Sequence, residues 1–255
     1  MDKQISMVQA IVDKMFADGD AVRVLEAGCG SRSFIQFGPK AYLAGIDISK
    51  EQLQKNTVLQ EKILGDIETF PLALASFDIV ICWDVLEHLE HPELALKNFL
   101  RALRPGGIIV LGAPVVSSLK GLVTKFTPHW FHVMLYRKLV GNPLAGTPGY
   151  GPFKTFLKTS MSPRSIRRFA TDNHLDVDFF ETYEGVMQQN VRQKYRAADI
   201  CFRVASPLVK LLSLGSIDPD ATEYIAVVRK PAIGHQLTEG AVEYAGAPSL
   251  NTREG

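Results

Sequence analysis

The chain of 255 residues carries a formal net charge of +1, with 46% hydrophobic and 22% charged residues, a composition that fits one sizeable soluble core. Near-neutral charge argues against a dedicated nucleic-acid binder, and no window offers the roughly 20 uncharged apolar residues that a membrane-spanning helix requires. Cys29, Cys82 and Cys201 are far apart and form no CxxC pair, which argues against a disulfide framework or a structural zinc site.

The first twenty residues lack the pattern of a secretory peptide, so a cytoplasmic location is expected. Ile5, Val8, Val12, Met15 and Phe16 share one helical face, and the helix they predict should cover the edge of a sheet. Residues 23–27 read as a short strand running into a glycine turn, and residues 42–48 as a second strand ending in an acid. The link between them is short and holds Pro39, which predicts a crossover helix reduced to a turn or two. Ser49 and Gln52 have capping-box spacing, predicting a helix to about residue 63, with a third strand at 62–67.

Residues 77–83, FDIVICW, form a near-continuous apolar run, the mark of a parallel strand buried on both faces. Pro92 opens the next helix, Pro105-Gly106-Gly107 should stop it, and residues 108–111 make a fifth strand. Alternating strands and helices predict a doubly wound, mostly parallel α/β sheet. Two late strands, 175–179 and 222–228, add an antiparallel hairpin and bring the sheet to seven strands. The reading is of a single domain over residues 1–230, with cap insertions at 115–161 and 182–220 and a disordered tail at 231–255.

A glycine turn leaving the first strand faces the crevice beyond the strand C-termini, where open α/β sheets bind ligands. Gly28 and Gly30 let backbone approach a ligand, and Asp47 ends the next strand where a carboxylate can accept both hydroxyls of a ribose. A nicotinamide dehydrogenase would share these two features. Further motifs separate the readings. ExGxG at 26–30, GIDIS at 45–49, GD at 65–66, FDIVICWDVLEHL at 77–89 and LRPGG at 103–107 resemble, in order and spacing, the class I S-adenosylmethionine-dependent methyltransferases. The subgroup in view contains ubiquinone-pathway and related small-molecule enzymes.

The resemblance implies a Rossmann-like fold with S-adenosylmethionine as cofactor and S-adenosylhomocysteine as product. It implies that Glu26, Gly28 and Gly30 shape the pocket for the methionine part and that Asp47 and Ile48 meet the ribose end. Asp66 and Ile67 would flank the adenine, and Trp83 would lie against the cofactor or pack in the core. Glu87 and His88 are read as bracing the loop rather than catalysing, and no spacing suggests a metal.

The cap is read as the substrate side. Residues 94–171 contain twelve Lys and Arg and no acid, a pattern that suits an anionic group or membrane surface, or alternatively cations that merely solvate helix faces. His129 and His132 are the candidate bases, should the acceptor have to lose a proton. The expected function is methyl transfer to a small or lipid-like, anionic acceptor, with oxygen as acceptor atom. The alternative is an S-adenosylmethionine-binding regulatory or scaffold protein.

Overall fold

The computed structural model describes residues 2–16, 21–118, 121, 127–147, 151–215 and 217–232. Most of the tail expected to be disordered lies outside these residues.

Seven strands form one sheet: β1 (Arg23–Ala27), β2 (Tyr42–Asp47), β3 (Glu61–Leu64), β4 (Phe77–Trp83), β5 (Leu103–Pro114), β6 (Asp176–Tyr183) and β7 (Glu223–Arg229), in the order β3-β2-β1-β4-β5-β7-β6. The first five run parallel and β7 enters antiparallel between β5 and β6. Helices flank it: α1 (Asp2–Met15), α2 (Lys50–Lys55), α3 (Pro92–Ala102), α4 (His129–Leu135), α5 (Pro163–Asp172), α6 (Val186–Lys194) and α7 (Arg196–Leu212). The order reverses beside β1, so the C-terminal ends of β1 and β4 open the crevice that such a switch point creates.

One sheet face buries Leu25, Val80, Ile109, Leu111 and Tyr224 against Leu96 and Phe99 of α3 and Ile166 of α5. The other buries Val24, Ile79, Ile81, Val110 and Val227 against Val8 and Val12 of α1. The first helix thus covers the face of the central strands and not, as its pattern suggested, an edge. The reason lies in the β1–β2 link, where residues 28–41 form turns and bends with no helix at all. Ile35 and Phe37 from that link join the cluster, and the Gln9 amide clamps Gln36, donating to its carbonyl at 2.7 Å and accepting from its N–H at 2.8 Å. α1 supplies the cover that a crossover helix would have given.

Two boundaries also differ from expectation. Ser49 caps α2 as predicted, accepting from Gln52 N–H at 3.3 Å, but the helix stops after six residues because the chain must turn back into β3. Residues 105–107 do not sit in a loop after α3. Strand pairing resumes directly at Leu103 opposite Phe77 and then jumps to Ile108 opposite Ile79, so the Pro-Gly-Gly bulges within β5.

Candidate functional site

After β1 the chain turns through Gly28 (φ +70°) and Gly30 (φ +52°), a left-handed pair that suits glycine. A Cβ on Gly28 would meet Val85 at 2.4 Å, so the turn is pressed onto the loop after β4, whereas Gly30 faces open space. The N–H groups of Gly28 and Cys29 both donate to Ile46 O, at 2.8 and 3.2 Å, tying the turn to β2.

Asp47 completes this cradle. Its Oδ2 accepts from Gly30 N–H at 2.9 Å and its Oδ1 from Ser49 N–H at 2.8 Å. A carboxylate offers about four lone-pair directions. With two taken by backbone, two remain for neighbouring hydroxyls of a ligand. Beside Asp47, Ile48 is 77% exposed and provides a bare apolar surface at the crevice mouth.

Glu26 is buried beneath the turn and accepts a short hydrogen bond from Ser33 Oγ. Burial raises its pKa, and the Ser33 bond opposes that shift only in part. The Cys29 thiol is pushed up to about 12, first by burial and then by Asp47 and Glu26, so it stays protonated and is no nucleophile. A buried acid and a second carboxylate within one glycine turn make a pocket suited to a cation.

The remaining sequence candidates separate. Asp66 is exposed and forms the turn after β3, its Oδ1 accepting from Glu68 N–H at 2.8 Å. Ile67 turns its side chain into the core, among the buried residues that include Leu72 and Phe99. Trp83 lies over Gly112, where an added Cβ would meet the indole at 2.7 Å, and it is buried with Ile81 and Ile225. It thus forms part of the packed floor where β4 ends.

His129 stands exposed at the start of α4, on a groove of about 470 Å³ with Trp130, Met134 and Arg137. His132 turns Nε2 toward Thr127, 2.8 Å from its Oγ1. No residue from the strand ends lines that groove. His88 binds Lys154 O through Nδ1 at 2.7 Å, and Glu87 O accepts from Phe156 N–H at 2.7 Å. Burial lowers the His88 pKa despite this bond. Both residues moor the first insertion to the β4 loop, as the bracing reading holds.

Three further residues meet where β4 and the hairpin end. Asp84 follows β4 in a left-handed conformation, φ +53°, with its N–H bound to Gly112 O at 2.9 Å. The hairpin register sets Tyr183 opposite Glu223, and Glu223 opposite Pro114 of β5. The Tyr183 hydroxyl donates to Glu223, and burial, then Glu223, then Asp84, hold its pKa well above the ordinary tyrosine value. Sequence reading missed this group because 39 residues separate the partners; the only signal was the polar ETY and TEY ends of two otherwise apolar strands.

Much of the charge in the acid-free segment is spent on the fold. Arg104 pairs with Asp78 at 2.9 Å, Arg168 with Asp172 at 3.3 Å, and Arg167 covers the Phe180 ring at 3.8 Å. Among the described residues no cluster of three His, Cys, Asp or Glu is arranged to hold a metal ion, and no helix is long and apolar enough to cross a membrane.

A Rossmann-like sheet, a glycine turn closed by a strand-end carboxylate and a buried acid beneath it are the features that the resemblance to class I S-adenosylmethionine-dependent methyltransferases implies. Residues 25–111 match the methyltransferase domain family. The chain is 36% identical over 109 residues to a malonyl-[acyl-carrier protein] O-methyltransferase of Erwinia pyrifoliae, covering 40% of this chain and 41% of that protein. It is 32% identical over 95 residues to a ubiquinone biosynthesis O-methyltransferase of Coxiella burnetii, covering 33% and 40% respectively. The matched stretch thus spans less than half the length of these relatives. The fold resembles Haemonchus contortus phosphoethanolamine N-methyltransferase 2, solved in complex with S-adenosyl-L-methionine, with a TM-score of 0.54 at 15% identity over 89% of this chain and 52% of that one.

Proposed function

We propose that this protein transfers a methyl group from S-adenosylmethionine to a hydroxyl of a small or lipid-like acceptor. The observation that carries the reading is the Asp47 carboxylate, which organises the glycine turn through Gly30 and Ser49 and keeps two lone-pair directions for a ribose. In this reading Glu26 attracts the ammonium of the methionine part, and Ile48 lies under the nucleoside. When bound, the cofactor supplies a methyl group already activated on a sulfonium, so alignment and exclusion of water can provide much of the rate.

The choice of oxygen draws on the two relatives named as O-methyltransferases. It also draws on Tyr183. Because the hydroxyl donates to Glu223, its oxygen can accept a hydrogen bond from an acceptor hydroxyl. Tyr183 would take the acceptor hydroxyl's proton while passing its own to Glu223, and the bound cofactor would supply the methyl group, its sulfur–methyl bond breaking as the carbon–oxygen bond forms and S-adenosylhomocysteine leaving as the neutral thioether. His129 and His132 are the alternative bases in the cap. An anionic group on the acceptor rests on the acid-free segment alone.

The test is calorimetric titration with S-adenosylmethionine, S-adenosylhomocysteine and NADH, followed by transfer of a tritiated methyl group to fractionated lipid and small-molecule extracts. Binding of the first two ligands and a labelled product are expected. Binding without any product would favour a regulatory or scaffold role, and binding of NADH alone would overturn the cofactor assignment.

A further inference from the structure

An ordinary surface helix buries its apolar stripe and shows charge to water. α7 does the reverse. At 100° per residue, Ala197, Ile200, Cys201, Val204, Pro207, Leu208, Leu211 and Leu212 occupy one arc of roughly 140°, and all are exposed. Ile200, Val204, Leu208, Leu211 and Leu212 are 54 to 75% exposed, and Leu214, just past the helix, is 94% exposed. No charged residue interrupts the arc.

The opposite side of α7 is the anchored one. Asp199 binds Arg192 of α6 at 2.8 Å, Lys210 binds Asp218 and Asp220 at 2.8 and 2.9 Å, and Phe202 sits under the Arg192 guanidinium at 4.4 Å. Ser206 is buried toward Asp220. Polar pairs thus fix the helix to the body, and about 25 Å of aliphatic surface faces outward. Such a surface calls for a partner.

We propose that α7 docks on an anionic lipid surface, its aliphatic arc entering the headgroup boundary. Charge selects this occupant over a second copy of the chain. On the anchored side Glu184 and Asp199 pair with Arg192, and Asp218 and Asp220 with Lys210, so the charges that line the arc itself are cations. Arg196 and Arg203 border the arc on one side and are exposed. Two copies meeting through this face would bring like charges together, whereas anionic headgroups meet cations along the arc. The inference stands apart from the methyl-transfer reading, since it rests on neither the glycine turn nor the acceptor end.

Cys201 lies within the arc and is exposed, while Cys29 and Cys82 are buried with raised pKa values, so an environment-sensitive fluorophore can be attached at Cys201 selectively. The labelled protein is mixed with vesicles of phosphatidylcholine alone or of equal parts phosphatidylcholine and phosphatidylglycerol. A blue shift with the anionic vesicles, weakened by salt, is expected. Val204→Glu and Leu211→Glu should each weaken partitioning about tenfold or more, from the apolar burial lost. Both side chains are exposed, so thermal midpoint and S-adenosylmethionine titration should not change. Equal vesicle binding by the variants would overturn the proposal. So would a concentration-dependent dimer that either variant dissolves, since it would make a second copy the occupant. Loss of vesicle binding with cofactor titration intact keeps this outcome distinct from failure of the methyltransferase reading.

Discussion

Replacement of Asp47 is the perturbation from which the site has most to lose. Asp47→Ala removes the acceptor for two backbone N–H groups, those of Gly30 and Ser49, at 2.9 and 2.8 Å. Each is a charge-assisted bond, worth about 1.5 to 3 kcal/mol when water cannot replace it. Asp47 is half-buried, and water can reach the vacated donors, so the loss of fold stability should be only about 1 kcal/mol. In the proposed pose binding suffers more, because the same substitution would remove two bonds to ribose hydroxyls and loosen the turn that positions them. Two such bonds amount to roughly 3 kcal/mol, or about 150-fold in Kd for S-adenosylmethionine. Asp47→Asn keeps one acceptor oxygen and should fall between. Calorimetric titration gives the affinities and a thermal melt gives the stabilities. Affinity within twofold of the parent, in a variant that still melts cooperatively, would refute the argument. It would mean that the Asp47 carboxylate serves the turn and not the ligand.

The two glycines should fail differently. Gly28→Ala puts a Cβ 2.4 Å from Val85 and should destabilise the fold, while Gly30→Ala meets open space and should chiefly weaken cofactor binding at a strain cost of about 1 kcal/mol, a contrast that melts and titrations will separate. The raised pKa of Glu26 means that its contribution to stability is present at low pH and is lost as pH rises through the raised folded value. S-adenosylmethionine affinity should move the opposite way, strengthening as Glu26 ionises over that window; Glu26→Gln should flatten both profiles, and an unchanged affinity profile would remove Glu26 from the pocket. Tyr183→Phe should lower kcat at least tenfold and leave cofactor affinity unaltered, whereas His132→Ala should do so only if the base lies in the cap.

The sequence was most informative where physical periodicity and local chemistry agree. β1 and β4 have the expected limits, and Pro92 starts its helix, because buried apolar runs and helix starts are decided by residues close in the chain. The Gly28, Gly30 and Asp47 cradle was legible for the same reason. What escaped depends on contacts across long separations. The cover that α1 gives to Ile35 and Phe37 cannot be read from either segment alone. Tyr183 meets Glu223 only after α6 and α7 have been threaded between them. The α7 stripe lay inside the segment read only as a cap insertion, and its outward orientation follows from the ion pairs of Arg192 and Lys210, which tertiary structure selects.

A dinucleotide-binding turn carries a third glycine where this loop has Arg32 or Ser33, and the structure accounts for its absence. In a dinucleotide turn the backbone must approach a pyrophosphate and the helix must pack close, which demands glycine. Here Ser33 occupies the loop instead, and its hydroxyl satisfies Glu26, while Arg32 lies over the Phe34 ring at 5.4 Å. No helix follows whose packing would need the glycine, because residues 28–41 contain none. Asp47 suits the ribose of either cofactor, but the Glu26 carboxylate beneath the turn would repel a phosphate charge ~5 Å away by about 3 kcal/mol at an effective dielectric constant near 20. The same group attracts a ligand that carries an ammonium and a sulfonium. A loop that spends its side chains on keeping a buried acid in place is therefore poorly suited to NAD and well matched to S-adenosylmethionine.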